Sequence, residues 1–279
     1  MVATSFGTGE QIRLALDNGA AKIIIGMGGS ATVDGGVGAL RALGIRFLDS
    51  MGEELSHLPG NLVDLASVDL SAMDTRILTV EVIVMCDVEN MLLGDQGAAA
   101  MFGPQKGASA AGVQKLEAAL SRLSAVAFQQ TGKDMSLVKY GGTAGGAAAG
   151  LYSFLNARLV NGIDYFLSLT HFDDSLQKAG LLITGEGSVD EQTLLGKGPF
   201  GVAHAAKQKG LPVIALAGKV PLQNQEALQQ YFDVLLPISH EPHNLPDALE
   251  VTEDNLIRTA RAIGNLLAIS GKYFKTKST

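Results

Sequence analysis

The feature that most constrains the fold is a regular alternation of apolar runs with amphipathic segments in the second half of the chain. The runs LLITGEG, PVIALAG and DVLLPIS are typical of buried strands, and FGVAHAAKQKG, QEALQQYF and TEDNLIRTARAIGNLLAIS are typical of helices. Strands joined through helices run parallel, and strands without polar alternation are covered on both faces. The pattern therefore predicts an α/β fold with a parallel sheet.

The first half of the chain predicts similar elements in a less regular order. TGEQIRLALDNGA predicts a helix with Ile12, Leu14 and Leu16 toward the core. AKIIIG, GVGALRALG and IRFLD then predict a strand, a helix and a strand in a βαβ-like unit, and TVEVIVMCDV predicts a strand that ends at Asp87. GVQKLEAALSRLSAVAFQQTG, LYSFLNARLV and IDYFLSLTHFDDSLQKAG predict helices.

Composition limits the class of protein. Of 279 residues, 47% are apolar and 18% are charged, which is typical of a chain that buries a core. The net charge of −7 without a basic block argues against nucleic acid and anionic membranes as partners. Cys86 is the sole cysteine, so there is no disulfide framework, and we interpret it as a packing residue. No targeting or membrane-spanning segment is evident, and we expect a cytoplasmic protein.

The first candidate site is the loop within IIIGMGGSATVDGG, residues 23–36. It follows a predicted strand, where α/β proteins bind ligands. Backbone N–H groups around Gly28, Gly29 and Ser30 are expected to face a carboxylate or phosphate. Asp34, the loop's single charge, is expected to orient a hydroxylated substrate or a magnesium ion. The alternative is a glycine-rich turn in which Asp34 caps the next helix.

The same loop also fits a dinucleotide-binding pattern, with Gly26, Gly28 and Ala31 in the glycine positions and Asp49 ending the following strand. This second interpretation is an NAD-type oxidoreductase. It requires the helix to begin at the second glycine, whereas the pair Gly35–Gly36 predicts a later start. The pattern Gly-x-x-x-x-Gly-Lys-Ser/Thr of P-loop NTPases does not occur.

The second candidate site is TGEGSVDEQTLLGKG, residues 184–198, which follows another predicted strand. Glu186 and Asp190 are carboxylates that could hold magnesium or act as a general base, and Lys197 could meet a phosphate. The alternative is a capped helix start with a solvated charge pair.

The third candidate site is CDVENMLLGDQGAAAMFGPQKGAS, residues 86–109. Asp87 and Asn90 follow a strand and are expected to bind substrate, and Lys106 in a tight turn could meet a phosphate or carboxylate as a point charge. An exposed turn lysine is the alternative. The stretch GGTAGGAAAG at 141–150 is interpreted either as a ligand loop or as a closely packed small-residue helix, and His240 and His243 as weak candidates to line a cleft.

Together, TSFGTGEQI, IIIGMGGSATVDGG, CDVENMLLGDQGAAAMFGPQKGAS and LLITGEGSVDEQTLLGKGPFGVA resemble, in order, the glycerate kinases of the bacterial glyoxylate and aldarate pathways. The resemblance implies ATP- and Mg²⁺-dependent phosphorylation of D-glycerate, with 2-phosphoglycerate the favoured product. In that role Glu186 and Asp190 hold metal or activate the hydroxyl, Lys106 and Lys197 meet phosphates, and Asp34 orients substrate.

The resemblance also implies two α/β domains, one of them flavodoxin-like with a parallel sheet, and an active-site cleft between them. We place a glycine-rich domain at residues 1–155 and the flavodoxin-like domain at 156–279. Members of the family carry about a hundred further residues before the point that matches Met1, including an Asp-Ser-Phe-Lys turn and an Asp-Gly-Gly-Glu-Gly loop. A fragment, an alternative start and a non-catalytic remnant all remain open, as does a homo-oligomer.

Overall fold

The computed structural model describes residues 3–194, 196–223, 226–242 and 244–273, and it confirms the α/β class with parallel sheets. The chain divides into two compact units, Met1–Phe166 and Leu167–Thr279. The first unit contains α1 (Phe6–Asp17), β1 (Lys22–Met27), α2 (Val37–Ala42), β2 (Arg46–Leu48), β3 (Ser67–Asp69), β4 (Glu81–Cys86), α3 (Ala98–Phe102), α4 (Ala110–Thr131), α5 (Ala147–Leu155), β5 (Arg158–Asn161) and most of α6 (Gly162–Leu169). The second contains α7 (Phe172–Leu176), β6 (Leu182–Ser188), α8 (Gly198–Gln208), β7 (Val213–Lys219), α9 (Glu226–Gln229), β8 (Val234–Pro237), α10 (Leu245–Glu250) and α11 (Thr252–Tyr273).

The main sheet of the first unit has the strand order β1-β4-β5, and all three strands are parallel. The register pairs Lys22 with Glu81 at one end and Met27 with Cys86 at the other. Strands β1 and β4 therefore end side by side, although more than fifty residues separate them in the chain. This pairing brings together the two loops that follow them.

A continuous apolar core holds the helices of the first unit against its sheet. Its fully buried members include Leu40 of α2, Val84 of β4 and Leu120 of α4, and Leu151 of α5 is nearly so. Burial of one such side chain stabilises the fold by about 1.5–3 kcal/mol. The core therefore makes the strand ends a rigid base for the loops above them.

The prediction of a βαβ-like unit from β1, α2 and β2 is wrong, because β2 does not join the main sheet. It pairs antiparallel with β3 in a separate two-stranded sheet, with Phe47 opposite Val68. Asp49 then ends no parallel strand, and its Oδ1 accepts hydrogen bonds from the N–H groups of Met51 and Glu53 in a tight turn. The dinucleotide-binding interpretation loses the geometry that it requires.

Two expectations about helices also need correction. Ile12 and Leu16 of α1 are buried as expected, but Leu14 is 61% exposed, because it lies on the opposite face of the helix. The stretch LYSFLNARLV is helical only to Leu155, and Arg158–Asn161 forms β5 beside β4. A domain boundary after residue 155 would separate β5 from its own sheet, and the observed boundary follows Phe166.

The second unit contains a parallel sheet with the sequential order β6-β7-β8. Helix α8 lies between β6 and β7 in the chain, and α9 lies between β7 and β8. One side of the sheet covers a core that includes Ala203, Val213 and Phe232, while a smaller cluster joins Leu216, Ile238 and Ile263. Across the part of the chain that the structure describes, no helix combines the length and the apolar character needed to cross a membrane.

Candidate active site

The carboxyl ends of β1 and β4 bring the first and third candidate sites together. Met27 and Cys86 are register partners, so the residues that follow them, Gly28 and Asp87, are neighbours. A Cβ atom placed on Gly28 would lie 3.8 Å from Oδ2 of Asp87. The glycine loop and the Asp87 carboxylate therefore border the same space, as parallel pairing of these strands requires.

Lys106 reaches this space from a turn that is distant in sequence. It ends the 3₁₀ turn Pro104–Lys106, and Gly107 follows with φ +88°. The Nζ atom of Lys106 donates hydrogen bonds to Oγ of Ser30 and to the carbonyl oxygen of Thr32, each at 2.8 Å. The side chain is half-buried, so the alternative of an exposed turn lysine does not hold.

A small polar pocket forms where these elements meet. It has a volume of about 120 Å³, and its lining combines the glycine loop, the loop after β4 and the turn of Lys106. The lining residues are Met27, Gly28, Gly29, Ser30, Asp87, Val88, Phe102, Gln105, Lys106 and Ala144. A neighbouring recess of about 320 Å³ shares Met27, Gly28, Ser30 and Ala144 with it. Four expected site residues of the glycine loop and the strand end, together with Lys106, thus surround one pocket.

The two charged groups of this pocket are each held in a partly desolvated environment. Burial lowers the pKa of Lys106, and the nearby carboxylates of Asp34 and Asp87 oppose that shift. Protein atoms around Asp87 desolvate its carboxylate and raise its pKa although the residue keeps access to solvent, while Lys106 opposes the shift. An anion bound beside Lys106 would favour its charged form, because opposite charges at short distance stabilise each other.

Asp34 lies under the glycine loop and does not line this pocket. It is fully buried, and its carboxylate accepts hydrogen bonds from N and Oγ of Ser5 and from the N–H groups of Gly36 and Gly38 at the start of α2. Gly36 occupies the N-cap position of α2, and Asp34, two residues earlier, accepts from N–H groups at the start of the helix, so it fills the role of the capping alternative without its position. Direct contact between Asp34 and a ligand would require some of these bonds to break.

Asn90 organises the loop after β4. Its side-chain Nδ2 donates a hydrogen bond to the backbone carbonyl oxygen of Gln96 at 2.8 Å. Its backbone carbonyl oxygen accepts a hydrogen bond from the N–H of Gly142. It is not among the residues that line the pocket. Its observed contacts are those of a loop-stabilising residue.

The stretch 141–150 packs closely beneath the glycine loop, as one of its two interpretations predicted. A Cβ atom on Gly145 would lie 2.1 Å from the carbonyl oxygen of Thr32, and one on Gly150 would lie 2.1 Å from that of Gly35. Only glycine permits such close approach of two backbones. Ala144, with φ +54°, lines the pocket. The ligand-loop interpretation of 141–150 covered Ala144, but no sequence signal singled out this alanine within the stretch.

The second candidate site lies in the other unit, at the end of β6. Thr193 is fully buried, and its Oγ1 donates to Oε1 of Glu186 at 2.6 Å while accepting from the N–H of Asp190 at 3.2 Å. One hydroxyl group therefore links the two expected carboxylate residues. Thr193 was not expected in this role, although it lies inside the quoted motif.

Glu186 also borders a larger pocket of about 920 Å³ that lies wholly within the second unit. Lys219 at the end of β7 and Asn255 of α11 line it as well, and the sequence assigned neither of them a role. Lys197 precedes α8 and is exposed, outside this lining. Nδ1 of His240 lies 2.9 Å from Oδ1 of Asn255, and His243 lies outside the described residues.

The glycerate kinase family matches this chain over residues 1–268. A glycerate kinase from Haemophilus influenzae is 42% identical over 96% of this chain and 71% of its own length, and a glycerate 2-kinase from Escherichia coli K12 is 41% identical over the same shares. A Salmonella typhimurium LT2 crystal structure, provisionally titled as glycerate kinase 2, superposes with a TM-score of 0.80 at 41% identity. The superposition covers 96% of this chain and 70% of the Salmonella chain.

The chain belongs to the glycerate kinase family. It is therefore a kinase, and the resemblance to this family is confirmed. The oxidoreductase interpretation is wrong on two independent grounds, the family match and the antiparallel placement of β2.

Cys86 is the first residue whose chemistry the structure decides. Burial raises the pKa of the Cys86 thiol to about 11, so Cys86 is a packing residue and not a nucleophile.

In the described ranges, no group of three or more His, Cys, Asp or Glu side chains could hold a metal ion. Mg²⁺ usually takes only one or two protein carboxylates, with water and substrate phosphates as its other ligands. Glu186 near the end of β6 and Asp190 just after that strand supply two carboxylates, and their role as metal ligands stays a prediction.

Proposed function

We propose that the chain transfers the terminal phosphoryl group of ATP to D-glycerate in the presence of Mg²⁺ and forms 2-phosphoglycerate. The observation that carries the proposal is the small pocket in which Lys106, Ser30 and Asp87 meet. A partly desolvated cation beside hydroxyl and backbone groups suits a small hydroxy acid. The name of the Escherichia coli relative, glycerate 2-kinase, supports the choice of hydroxyl group.

In this proposal Lys106 holds the negative charge of the substrate. Its ammonium group, already positioned by Ser30 and Thr32, pairs with the carboxylate of glycerate or with the phosphoryl group that arrives. Asp87, whose pKa is raised by desolvation, accepts a hydrogen bond from a glycerate hydroxyl group and favours its attack. Gly28, Gly29 and Ser30 leave room for the acid between the two charged side chains.

The second unit contributes the groups that meet the phosphates. Glu186 and Asp190, linked through Thr193, are proposed as ligands of Mg²⁺, and Lys197 as a point charge for phosphate. Bound Mg²⁺·ATP supplies the phosphoryl group and neutralises charge on it. Asp34 acts as a positioning residue, because its buried carboxylate holds the start of α2 and lies near Lys106. Asn90 positions the loop after β4.

The test is phosphorus NMR of a reaction that contains the protein, ATP, MgCl₂ and D-glycerate, with L-glycerate as the matched substrate control. We expect ADP and 2-phosphoglycerate in equal amounts. An Asp190→Asn variant should lose most turnover, and because Asp190 is partly buried its folding is checked by urea unfolding alongside the kinetics. Glu191→Gln, on the same turn, is the control and should keep its activity.

Two results would refute the proposal. The first is an absence of glycerate-dependent ADP release, and the second is a product that carries phosphate only on the 3-hydroxyl group. Near-normal turnover by a folded Asp190→Asn variant would remove Asp190 from the proposed metal site and leave the rest of the proposal intact.

A further inference from the structure

We infer that the apolar pocket of the second unit binds the nucleoside part of the phosphate donor, so that each unit holds a different reactant. This inference rests on the proposed function, since it assumes a nucleoside triphosphate as the donor. It concerns the pocket that runs along β6 from Ile183 to Ser188 and past the carboxyl ends of β7 and β8, which the proposal above uses only through Glu186.

Pocket size separates the two candidate reactant sites. The pocket around Lys106 measures about 120 Å³, whereas the pocket of the second unit measures about 920 Å³. Sites that bury most of a drug-sized ligand measure about 300–1,000 Å³. A base and ribose therefore fit in the second unit, whereas the pocket beside Lys106 and its neighbouring recess of about 320 Å³ are each much smaller.

The walls of the larger pocket suit a flat heteroaromatic ring. Leu216 and Ile238 form part of the sheet side, and Leu245, Leu249 and Leu256 form the helical side from α10 and α11. Leu245 and Leu249 are 72% and 65% exposed, so apolar surface is available to a ligand. Burial of a base between these side chains would remove that surface from water.

Polar groups lie at the strand-end side of the same pocket. Ser188 ends β6, Lys219 ends β7 and Ser239 follows β8, and all three line the pocket together with Glu186. Asn255 is nearly buried, and its Oδ1 is engaged with His240, which fixes the amide that borders the pocket. A nucleotide with its base against α10 and α11 would direct its phosphates toward Lys219 and Glu186. That orientation places the charged part where the proposed metal ligands are.

The experiment is photolabelling of the whole chain with 8-azido-ATP and Mg²⁺, followed by mass spectrometry of the labelled peptides. We expect label within residues 234–258, suppressed by an excess of unmodified ATP. A Leu249→Asp variant should lose at least about ten-fold in labelling and raise the KM for ATP to the same degree, with the KM for glycerate unchanged. Leu266→Asp is the matched control, because Leu266 is also exposed, at 65%, and does not line the pocket.

Lys219→Met is the second variant, chosen because Lys219 is exposed and its loss should leave the fold intact. It should weaken labelling by 8-azido-ATP more than labelling by 8-azidoadenosine. Competable label in the first unit, unchanged labelling of a folded Leu249→Asp variant, or no competable label anywhere would overturn the inference. A chain that phosphorylates glycerate but labels elsewhere refutes only this inference. A chain that labels here but phosphorylates no glycerate refutes only the proposed function.

Discussion

The two units both place polar residues directly after parallel strands, but they differ in the size of the pocket beside those residues. In the first unit, Gly145 and Gly150 press against the backbone of the glycine loop, and the pocket there measures about 120 Å³. In the second, Gly185 is also closely packed, against the carbonyl oxygen of Leu216, yet the pocket there measures about 920 Å³. The same arrangement of parallel strands therefore accepts ligands of different size in the two units.

The two units also differ in how completely their helices bury apolar side chains. The apolar core of the first unit includes residues from all its longer helices. In the second, α10 and α11 keep large aliphatic side chains exposed, with Leu245, Leu249 and Leu266 each above 60%. Substitutions in the first unit should therefore cost more, and the four predictions below follow that comparison from the largest expected effect to the smallest.

The largest effect is expected from Lys106→Met in the small pocket. Methionine keeps an apolar stem of similar length but removes the charge that meets Ser30 and Thr32. Loss of one positioned donor at a reacting site commonly lowers kcat by about 10²–10³-fold. Steady-state kinetics should show that loss, while Lys115→Met, an exposed lysine of α4, keeps normal rates. Equal kinetics for the two variants would show that the small pocket is not the acid site.

A large effect on stability is expected from Gly150→Ala. The new Cβ would lie 2.1 Å from the carbonyl oxygen of Gly35, so the backbone of α5 or of the glycine loop must shift. Overpacking of this kind costs about 1–3 kcal/mol. Urea unfolding followed by hydrogen exchange should locate the loss in peptides of α5 and the glycine loop. Unchanged stability there would contradict the close packing described for the first unit.

The matched change in the second unit, Gly264→Ala, should stabilise the protein. Gly264 lies on an exposed face of α11, and no atom lies within 4 Å of the position that its Cβ would take. Alanine in a helix interior is more favourable than glycine by about 0.5–1 kcal/mol. Hydrogen exchange in α11 should slow accordingly. Destabilisation would mean that α11 packs against something at this face.

The smallest effect concerns the dependence of stability on pH at Asp87. Its folded pKa is raised above the unfolded value, chiefly by desolvation, so folding favours the protonated form. The stability that the protonated carboxyl group contributes is fully present below the unfolded pKa, and it is lost as pH rises through the folded pKa. At pH 7 the carboxylate therefore costs stability, and Asp87→Asn should gain less than about 0.5 kcal/mol, because the group is exposed.

The gain should disappear when unfolding is measured near the unfolded pKa, about pH 4. Asp95→Asn, at another exposed loop position, is the control and should leave the free energy of unfolding unchanged at both pH values. A loss of stability at pH 7 would show that attraction to Lys106 outweighs desolvation at Asp87.

Much of the fold was predictable, because strands and long helices follow from local patterns. The strands β1, β4, β6, β7 and β8 and the helices α4 and α11 lie where apolar runs and helical periodicity indicate. The errors arose where local patterns do not discriminate. IRFLD has the pattern of a buried strand whether it pairs parallel with β1 or antiparallel with β3, and a short stretch such as ARLV suits a helix or a strand equally.

The candidate site was predictable in its parts but not in its assembly. The motifs identified Gly28, Ser30 and Asp87 as residues after strands, and Lys106 as a turn lysine. No local rule relates Lys106 to Ser30, since they are 76 positions apart. The hydrogen bond of Thr193 to Glu186 was equally hidden, because no local pattern distinguishes a threonine that bonds a neighbouring carboxylate from one that faces solvent.

The sequence by itself determined the α/β class, the strand-end positions of the polar clusters and the family, because these depend on composition and on residues close together in the chain. Only the tertiary structure decided that β1 lies beside β4, that Asp34 is buried and bonded to the start of α2, and that Lys106 is held between Ser30 and Thr32. Those outcomes depend on packing between segments that are distant in sequence, where burial and backbone contact select one arrangement among several that satisfy the same local pattern.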